Sequence, residues 1–298
     1  MTRWPLALAC IAIAAAAAAP SAPQTTRGIV LGDLTWIEAD QALTPDTVVV
    51  IPLGAAAKEH GPHLKLKNDL ILSDYLTGRV LERANVVVAP TIVYHFYPAF
   101  LEYPGSTHLQ RDTARDVVVD IVRSLAAYGP KRFYVLNTGI STNRALAPAA
   151  EMLAADGILL RYTNLSQLLD PVERQIRQEE GGTHADEIET SMILYIDPSS
   201  VDMSKAVKDY DAGGTGPLSR VKGKPDTTYS PTGIWGDATL ATREKGRVVV
   251  EAWVAGLLGE IEETRVAALP AARPVRDRAR VPDTAPRAPG ATPRRPRP

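Results

Sequence analysis

Short apolar runs alternate with longer segments of helical periodicity through the middle of the chain. Three of these runs predict buried strands: 47–53, 85–90 and 132–137. Residues 69–81 and 112–127 carry apolar side chains at spacings of three and four, which predicts two helices, the second with Asp112 as its N-cap. Strands that alternate with helices predict an α/β fold. We expect a single domain with a mostly parallel sheet and helices on both faces.

The two ends of the chain have a different composition from this middle. Residues 1–23 carry Arg3, then a run of alanine and leucine, then small residues and proline, which predicts a secretory signal peptide too short to span a bilayer. Residues 269–298 are rich in proline and arginine and predict a disordered tail. The α/β domain is therefore predicted at 24–268. Cys10, the only cysteine, lies in the signal segment, so the mature chain is compatible with a periplasmic or secreted location.

Charge excludes one class of partner. The whole chain has a formal net charge of −1, although the segment from Ala271 onward carries eight arginines and only two aspartates. The rest of the chain is therefore acidic, which argues against a nucleic-acid-binding surface. We expect no nucleic-acid partner and no membrane span.

A first polar cluster follows the predicted strand at 47–53. It contains Glu59, His60, His63 and Asp69, with a Gly-Pro turn between the two histidines. Carboxylate oxygens and imidazole nitrogens are the ligands of zinc and related divalent metals. In a parallel sheet this loop lies at the carboxyl edge, where ligands bind. The cluster predicts either a metal site or a polar loop with two incidental histidines.

A second cluster, at 181–191, places His184, Glu187 and Glu189 at the start of a predicted helix, with Thr183 as its cap. Residues three apart share a helix face, so His184 and Glu187 are expected to point together while Glu189 points elsewhere. The alternative is a capped helix start with a solvated acidic face.

Five ordered motifs of this chain resemble those of the creatininase (creatinine amidohydrolase) family. They are Glu59 to Leu64 with Asp69, Tyr103 to Ser106, Asn137 to Asn143, His184 to Ser191, and Gly236 to Gly246. Their order along the chain makes the resemblance more specific than any one motif.

The resemblance implies a metal-dependent hydrolase of a C–N bond in an amide, cyclic amide or formamide. Such a hydrolase uses a metal-activated water, with one or two Zn or Mn ions. It also implies a small-molecule amide substrate and a homo-oligomer. Carried over onto this sequence, the metal ligands are Glu59, His60 and Asp69, and the catalytic residues are His184 and Glu189.

The chain departs from the family pattern at two places. Lys58 stands where the family has its first glutamate ligand, and residues 137–143 contain neither histidine nor carboxylate. Because an ammonium is repelled by a dication, we expect Lys58 to point away and Glu59 to face the site. We also expect His60, Asp69 and His184 to converge.

These departures leave three alternatives. One metal ion is held by Glu59, His60 and Asp69 with His184 nearby, because a catalytic zinc needs only three protein ligands. A second ion is recruited through other carboxylates, of which Glu187, Glu189 and Glu102 are available. Otherwise the chain is a non-catalytic small-molecule-binding protein on the same scaffold.

Two remaining features have less specific interpretations. His95 and His108 lie among aromatic and β-branched residues, which is typical of core or rim histidines. The glycine- and proline-rich stretch 210–236 is too long for a simple connection. It is predicted to fold over the site or reach a neighbouring subunit, with a disordered surface loop as the alternative.

Overall fold

The computed structural model describes residues 27–273, so the predicted signal peptide and most of the predicted tail lie outside it. Five strands form one sheet in which every neighbouring pair is parallel. They are β1 (Ile29–Val30), β2 (Val48–Leu53), β3 (Val87–Val88), β4 (Arg132–Asn137) and β5 (Leu159–Tyr162). Their order across the sheet is β1, β3, β2, β4, β5.

Seven α-helices accompany this sheet within residues 27–273. They are α1 (Trp36–Ala42), α2 (Asn68–Arg83), α3 (Arg111–Ala126), α4 (Asn143–Ala154), α5 (Leu165–Ile176), α6 (Glu187–Ile196) and α7 (Arg243–Val266). In the described part of the chain, no helix combines the length and apolar composition needed to cross a membrane.

Alternate residues of the central strands divide the core into two layers. Val48 and Val50 of β2 pack in a cluster with side chains of α2, α6 and α7. Val49 and Ile51, one position along, pack in a second cluster with α3 and α4. Successive side chains of a strand point to opposite faces, so an uninterrupted apolar run indicates a sheet covered on both sides. The α/β fold predicted from the sequence is therefore confirmed.

The boundaries of some predicted elements change. The helices predicted at 69–81 and 112–127 are present, but the second begins at Arg111, so the prediction of Asp112 as its N-cap is wrong. Leu109 N donates to His95 O, which ties the entering chain to a neighbouring loop and leaves Gln110 at the cap position. The strand predicted at 85–90 shortens to Val87–Val88, which are the two residues that pair with both β1 and β2.

The stretch 210–236 forms a small structured unit. Within it β7 (Leu218–Ser219) pairs in parallel with β8 (Thr228–Tyr229). At its ends β6 (Lys208–Asp209) pairs antiparallel with β9 (Gly236–Asp237).

The carboxyl edge of the sheet brings two loops together. Leu53, the last residue of β2, is in register with Asn137, the last residue of β4. Thr138 donates from its backbone N to Leu53 O, which joins the two loops where they leave the sheet. The first polar cluster therefore starts at the edge where ligands of parallel sheets bind.

Candidate active site

The loop after β2 carries His60 to the start of α2. His60 Nε2 lies 2.9 Å from Asp69 Oδ1, and His60 Nδ1 donates to Lys58 O at 2.9 Å. Asp69 stands in the first turn of α2, where the helix dipole favours a negative charge. Gly54 lets the start of the loop pack closely against the start of α2, because a Cβ at that position would lie 2.6 Å from Asp69 O.

Lys58 points into the site rather than away from it. Its Nζ lies 2.8 Å from Asp69 Oδ2, and both side chains are buried. The ammonium also faces the rings of Tyr97 and Phe100, 5.7 Å and 5.0 Å from their centroids. The expectation that Lys58 points away is therefore wrong, because the buried carboxylate of Asp69 requires a positive partner.

Glu59 lies on the other side of the loop and faces His184, as expected. Its Oε2 lies 3.1 Å from His184 Nε2, and its backbone O accepts from the same nitrogen at 2.9 Å. Its other oxygen accepts from Gly61 N. Gly233 makes room for this carboxylate with φ +86°, since a Cβ there would lie 2.1 Å from Glu59 Oε1.

Backbone contacts hold His184 just before α6. His184 O accepts from Trp235 N at 2.9 Å, and His184 N donates to Trp235 O at 3.3 Å. Ala185, the next residue, has the left-handed φ of +49°, which is uncommon for a side chain with a Cβ. Burial lowers the pKa of His184, but the charges of Glu59 and Glu189 outweigh it and raise the pKa above its ordinary value.

The start of α6 differs from the prediction in its cap and in the carboxylate it presents. Asp186, not Thr183, is the N-cap, since its Oδ1 accepts from Ile188 N and Glu189 N at 2.9 Å each. His184 therefore precedes the helix, and the helical spacing of three does not apply to it. Glu189 Oε2 lies 3.6 Å from His184 Nδ1 and accepts from Ala185 N at 2.6 Å.

Glu187 points away from His184, so the prediction that these two point together is wrong. Its carboxylate pairs with Lys245 and accepts from Gln178 N and Glu179 N. Glu102, the third carboxylate considered for a second ion, binds Ser219, Arg220 and Lys224 of the 210–236 unit. Of the three candidates, Glu189 is the one at the site.

The expected convergence is confirmed for His60 and His184, and Asp69 joins them through its contact with His60. The imidazole centroids of His60 and His184 are 5.0 Å apart, and Asp69 contacts His60. Among residues 27–273, donor atoms of His60, His184 and Glu189 lie within 4.8 Å of one another. The assignment of Glu59, His60 and Asp69 as ligands and of His184 and Glu189 as catalytic stays a prediction.

These residues fit one divalent ion. Metal-binding histidines commonly donate their second ring nitrogen to a backbone carbonyl or carboxylate, as His60 does to Lys58 O and His184 to Glu59 O. Two histidines and one glutamate are the ligand set of several catalytic zinc enzymes. The ligand atoms of a tetrahedral zinc lie about 3.4 Å apart, so donors within 4.8 Å of one another need to close by at most about 1.4 Å.

A cavity of about 550 Å³ opens beside this cluster. Lys58, His184 and Glu189 contribute to its wall, and the Phe100 ring lies with its centroid 4.3 Å from that of His184. The loop after β4 and the 210–236 unit complete the wall, so this stretch folds over the site, as one of its interpretations predicted.

A buried acidic group lines another part of the cavity. Burial, followed by the charge of Glu189, raises the pKa of Asp186. Burial likewise raises the pKa of Glu173 to about 7, even though Arg177 lowers it. These carboxyls and the Arg177 guanidinium make this part of the wall polar.

The other histidines are not ligands of the cluster. His63 Nε2 lies 2.8 Å from Thr190 Oγ1, and burial lowers its pKa to about 4. His95 is fully buried, and burial lowers its pKa to about 4 as well. His108 accepts a hydrogen bond from Tyr97 N at its Nδ1. These placements agree with core and rim roles for His95 and His108.

Sequence reasoning missed the contact of Lys58 with Asp69 and the part of the aromatic wall formed by Trp235 and Trp253. Lys58 carried a detectable signal, because it is the lysine next to two predicted ligands. The tryptophans carried none, since they come from distant parts of the chain.

Comparisons with known proteins agree with this architecture. A family model for creatininase, described as creatinine amidohydrolase, matches residues 32–261. Creatinine amidohydrolase of Pseudomonas putida is 27% identical over 260 residues, which cover 80% of this chain and 98% of that protein. Mycofactocin precursor peptide peptidase of Mycolicibacterium smegmatis is 27% identical over 225 residues, covering 72% of this chain and 84% of that protein. A solved structure described as "Creatininase Mn" has a TM-score of 0.68 at 26% identity, covering 80% of this chain and 100% of that one.

Proposed function

Because this chain belongs to the creatininase family, we propose that it is a metal-dependent hydrolase of a C–N bond in a small amide, cyclic amide or formamide. The family supports amide hydrolysis, and the peptidase relative supports a short peptide as a further substrate type. The observation that carries the proposal is the meeting of His60, His184 and Glu189 beside a cavity of about 550 Å³. That volume suits a small molecule.

In this proposal His60, His184 and Glu189 hold one Zn or Mn ion. When bound, such an ion lowers the pKa of a water ligand and polarises the carbonyl oxygen of the scissile amide. Glu59 acts as a positioning residue, because its backbone and side-chain oxygens both face His184 Nε2.

Glu189 has one carboxylate oxygen free to bind the ion. Its Oε2 is engaged by Ala185 N, while its Oε1 makes no hydrogen bond within residues 27–273. The apolar ring of Phe100, packed on His184, limits the access of other water to this point.

The contact between Lys58 and Asp69 favours a second candidate function. An ammonium that already neutralises a predicted ligand is compatible with a small-molecule-binding protein that needs no metal and performs no turnover.

One set of measurements tests both candidates. Protein purified without chelator is analysed for Zn and Mn, then assayed with lactams, formamides and short peptides in the presence of either metal. A hydrolase requires bound metal and turnover, and Glu189→Gln should lower both, because an uncharged amide is a weaker ligand of a divalent ion than a carboxylate. Glu180→Gln, at an exposed glutamate, is the matched control and should keep wild-type turnover. Wild-type protein that binds a compound but holds no metal and hydrolyses nothing would establish the second candidate.

A further inference from the structure

Asp69 offers the chemistry of a metal ligand but is already neutralised by the chain itself. Its Oδ1 lies 2.9 Å from His60 Nε2, and its Oδ2 lies 2.8 Å from Lys58 Nζ. Within the described residues, Oδ2 is buried and has no well-directed hydrogen bond. The Lys58 ammonium is the positive neighbour of this oxygen. A carboxylate beside an imidazole otherwise attracts a divalent ion to this place.

Packing and charge hold the Lys58 ammonium in place. The side chain is only 6% exposed, and its Nζ lies beside Asp69 and near the rings of Tyr97 and Phe100. A divalent ion that bound Asp69 Oδ2 would meet this ammonium at close range in a poorly solvated site, where repulsion between like charges is weakly screened.

The net charge around the cluster also matches one divalent ion. Three carboxylates, Asp69, Glu59 and Glu189, surround it, and Lys58 supplies one positive charge. With neutral histidines the sum is −2, which one divalent ion balances. A glutamate in place of Lys58 would change the sum to −4, which two divalent ions would balance.

We infer that the Lys58 ammonium takes the place of one divalent ion at Asp69, so that the site accepts a single ion at His60, His184 and Glu189. This inference rests on the proposed function, since it concerns how many ions the same site binds. It also gives Lys58 a position in the cavity wall, where its remaining N–H groups can face an oxygen of a bound molecule.

The test measures bound Zn²⁺ per chain by equilibrium dialysis and elemental analysis on the full chain. The variants are Lys58→Glu, which reverses the charge, and Lys58→Met, which removes the charge but keeps the length of the side chain. Lys65→Glu is the matched control, since Lys65 lies in the same loop and is exposed. Circular dichroism checks that each variant is folded. If Lys58→Glu is unfolded, the number of ions bound by Lys58→Met decides the question.

We expect about one ion per chain in wild type and in Lys65→Glu, rising to about two in Lys58→Glu. Lys58→Met should also take up a second ion, with weaker affinity because it gains no ligand. Zn²⁺ should raise the thermal midpoint of the Lys58 variants more than that of wild type, because it replaces the missing charge at Asp69.

The other outcomes show whether the inference, the proposed function or both fail. Two ions in wild type, or one ion in both wild type and the Lys58 variants, would overturn the inference and leave the hydrolase proposal standing. No ion in wild type but an ion in the Lys58 variants would support the replacement of an ion at Asp69 by Lys58, and it would refute both the single-ion site and the hydrolase proposal. No ion in any variant would refute both.

Discussion

Asp69→Asn should destabilise the metal-free protein strongly, because it leaves the Lys58 ammonium buried without a negative partner. Two unit charges 2.8 Å apart attract by about 6 kcal/mol at an effective dielectric constant of about 20. Desolvation of both groups offsets much of this attraction in the intact pair. Once one partner is removed the other remains desolvated, so we expect the free energy of unfolding to fall by about 3 to 5 kcal/mol.

Urea unfolding at pH 7 in the presence of a chelator, followed by circular dichroism, measures this change. Asp116→Asn, the same substitution on the exposed face of α3, is the control and should leave the midpoint unchanged. The double variant Lys58→Met with Asp69→Asn removes both charges and should cost less than the sum of the single variants. A cost below about 1 kcal/mol for Asp69→Asn, or strict additivity in the double variant, would refute the buried ion pair.

Three further predictions concern other parts of the chain. Gly233→Val should lower both the thermal midpoint and turnover, because a side chain at φ +86° would also displace the Glu59 carboxylate; unchanged values would contradict that packing. Burial, with the Asp186 charge, raises the pKa of Glu179 to about 8, so this group should make wild type lose stability as the pH rises from about 5 to 8. Glu179→Gln should flatten that loss in urea midpoints measured across this range, and an unchanged slope would count against the raised pKa. We also propose that the chain is exported and processed to a start between about residues 19 and 25, which N-terminal sequencing of exported protein checks; a start at Met1 would exclude it.

The fold was largely predictable because its signals are local. Buried parallel strands are continuous apolar runs, and β2 and β4 are such runs with ends within one residue of the prediction. Helix ends were less predictable, because contacts from outside the element decide them. The bond from Leu109 N to His95 O, which precedes α3, is one example.

The location of the site could be predicted from the sequence, but its side-chain contacts could not. Parallel topology places the loop after β2 at the carboxyl edge, so the region of His60 and Asp69 could be inferred. The direction of Glu189 could not, because it depends on the left-handed backbone of Ala185 and on Asp186 acting as the cap. The position of Lys58 follows from the balance between burial and a countercharge, which a spacing rule does not contain.

The two departures from the family pattern are coherent when taken together. The resemblance leads one to expect metal ligands in the loop after β4, where this chain has Ile140 and Thr142. The Thr142 hydroxyl turns inward to Asn137 Oδ1 and Gly139 O, and Ile140 lines the cavity with an exposed apolar side chain. Neither residue can support an ion at Asp69, and an ion there would also face the Lys58 ammonium. With Lys58 in place, a second set of ligands would have no cation to bind, so the loop is free to contribute an apolar wall to the cavity instead.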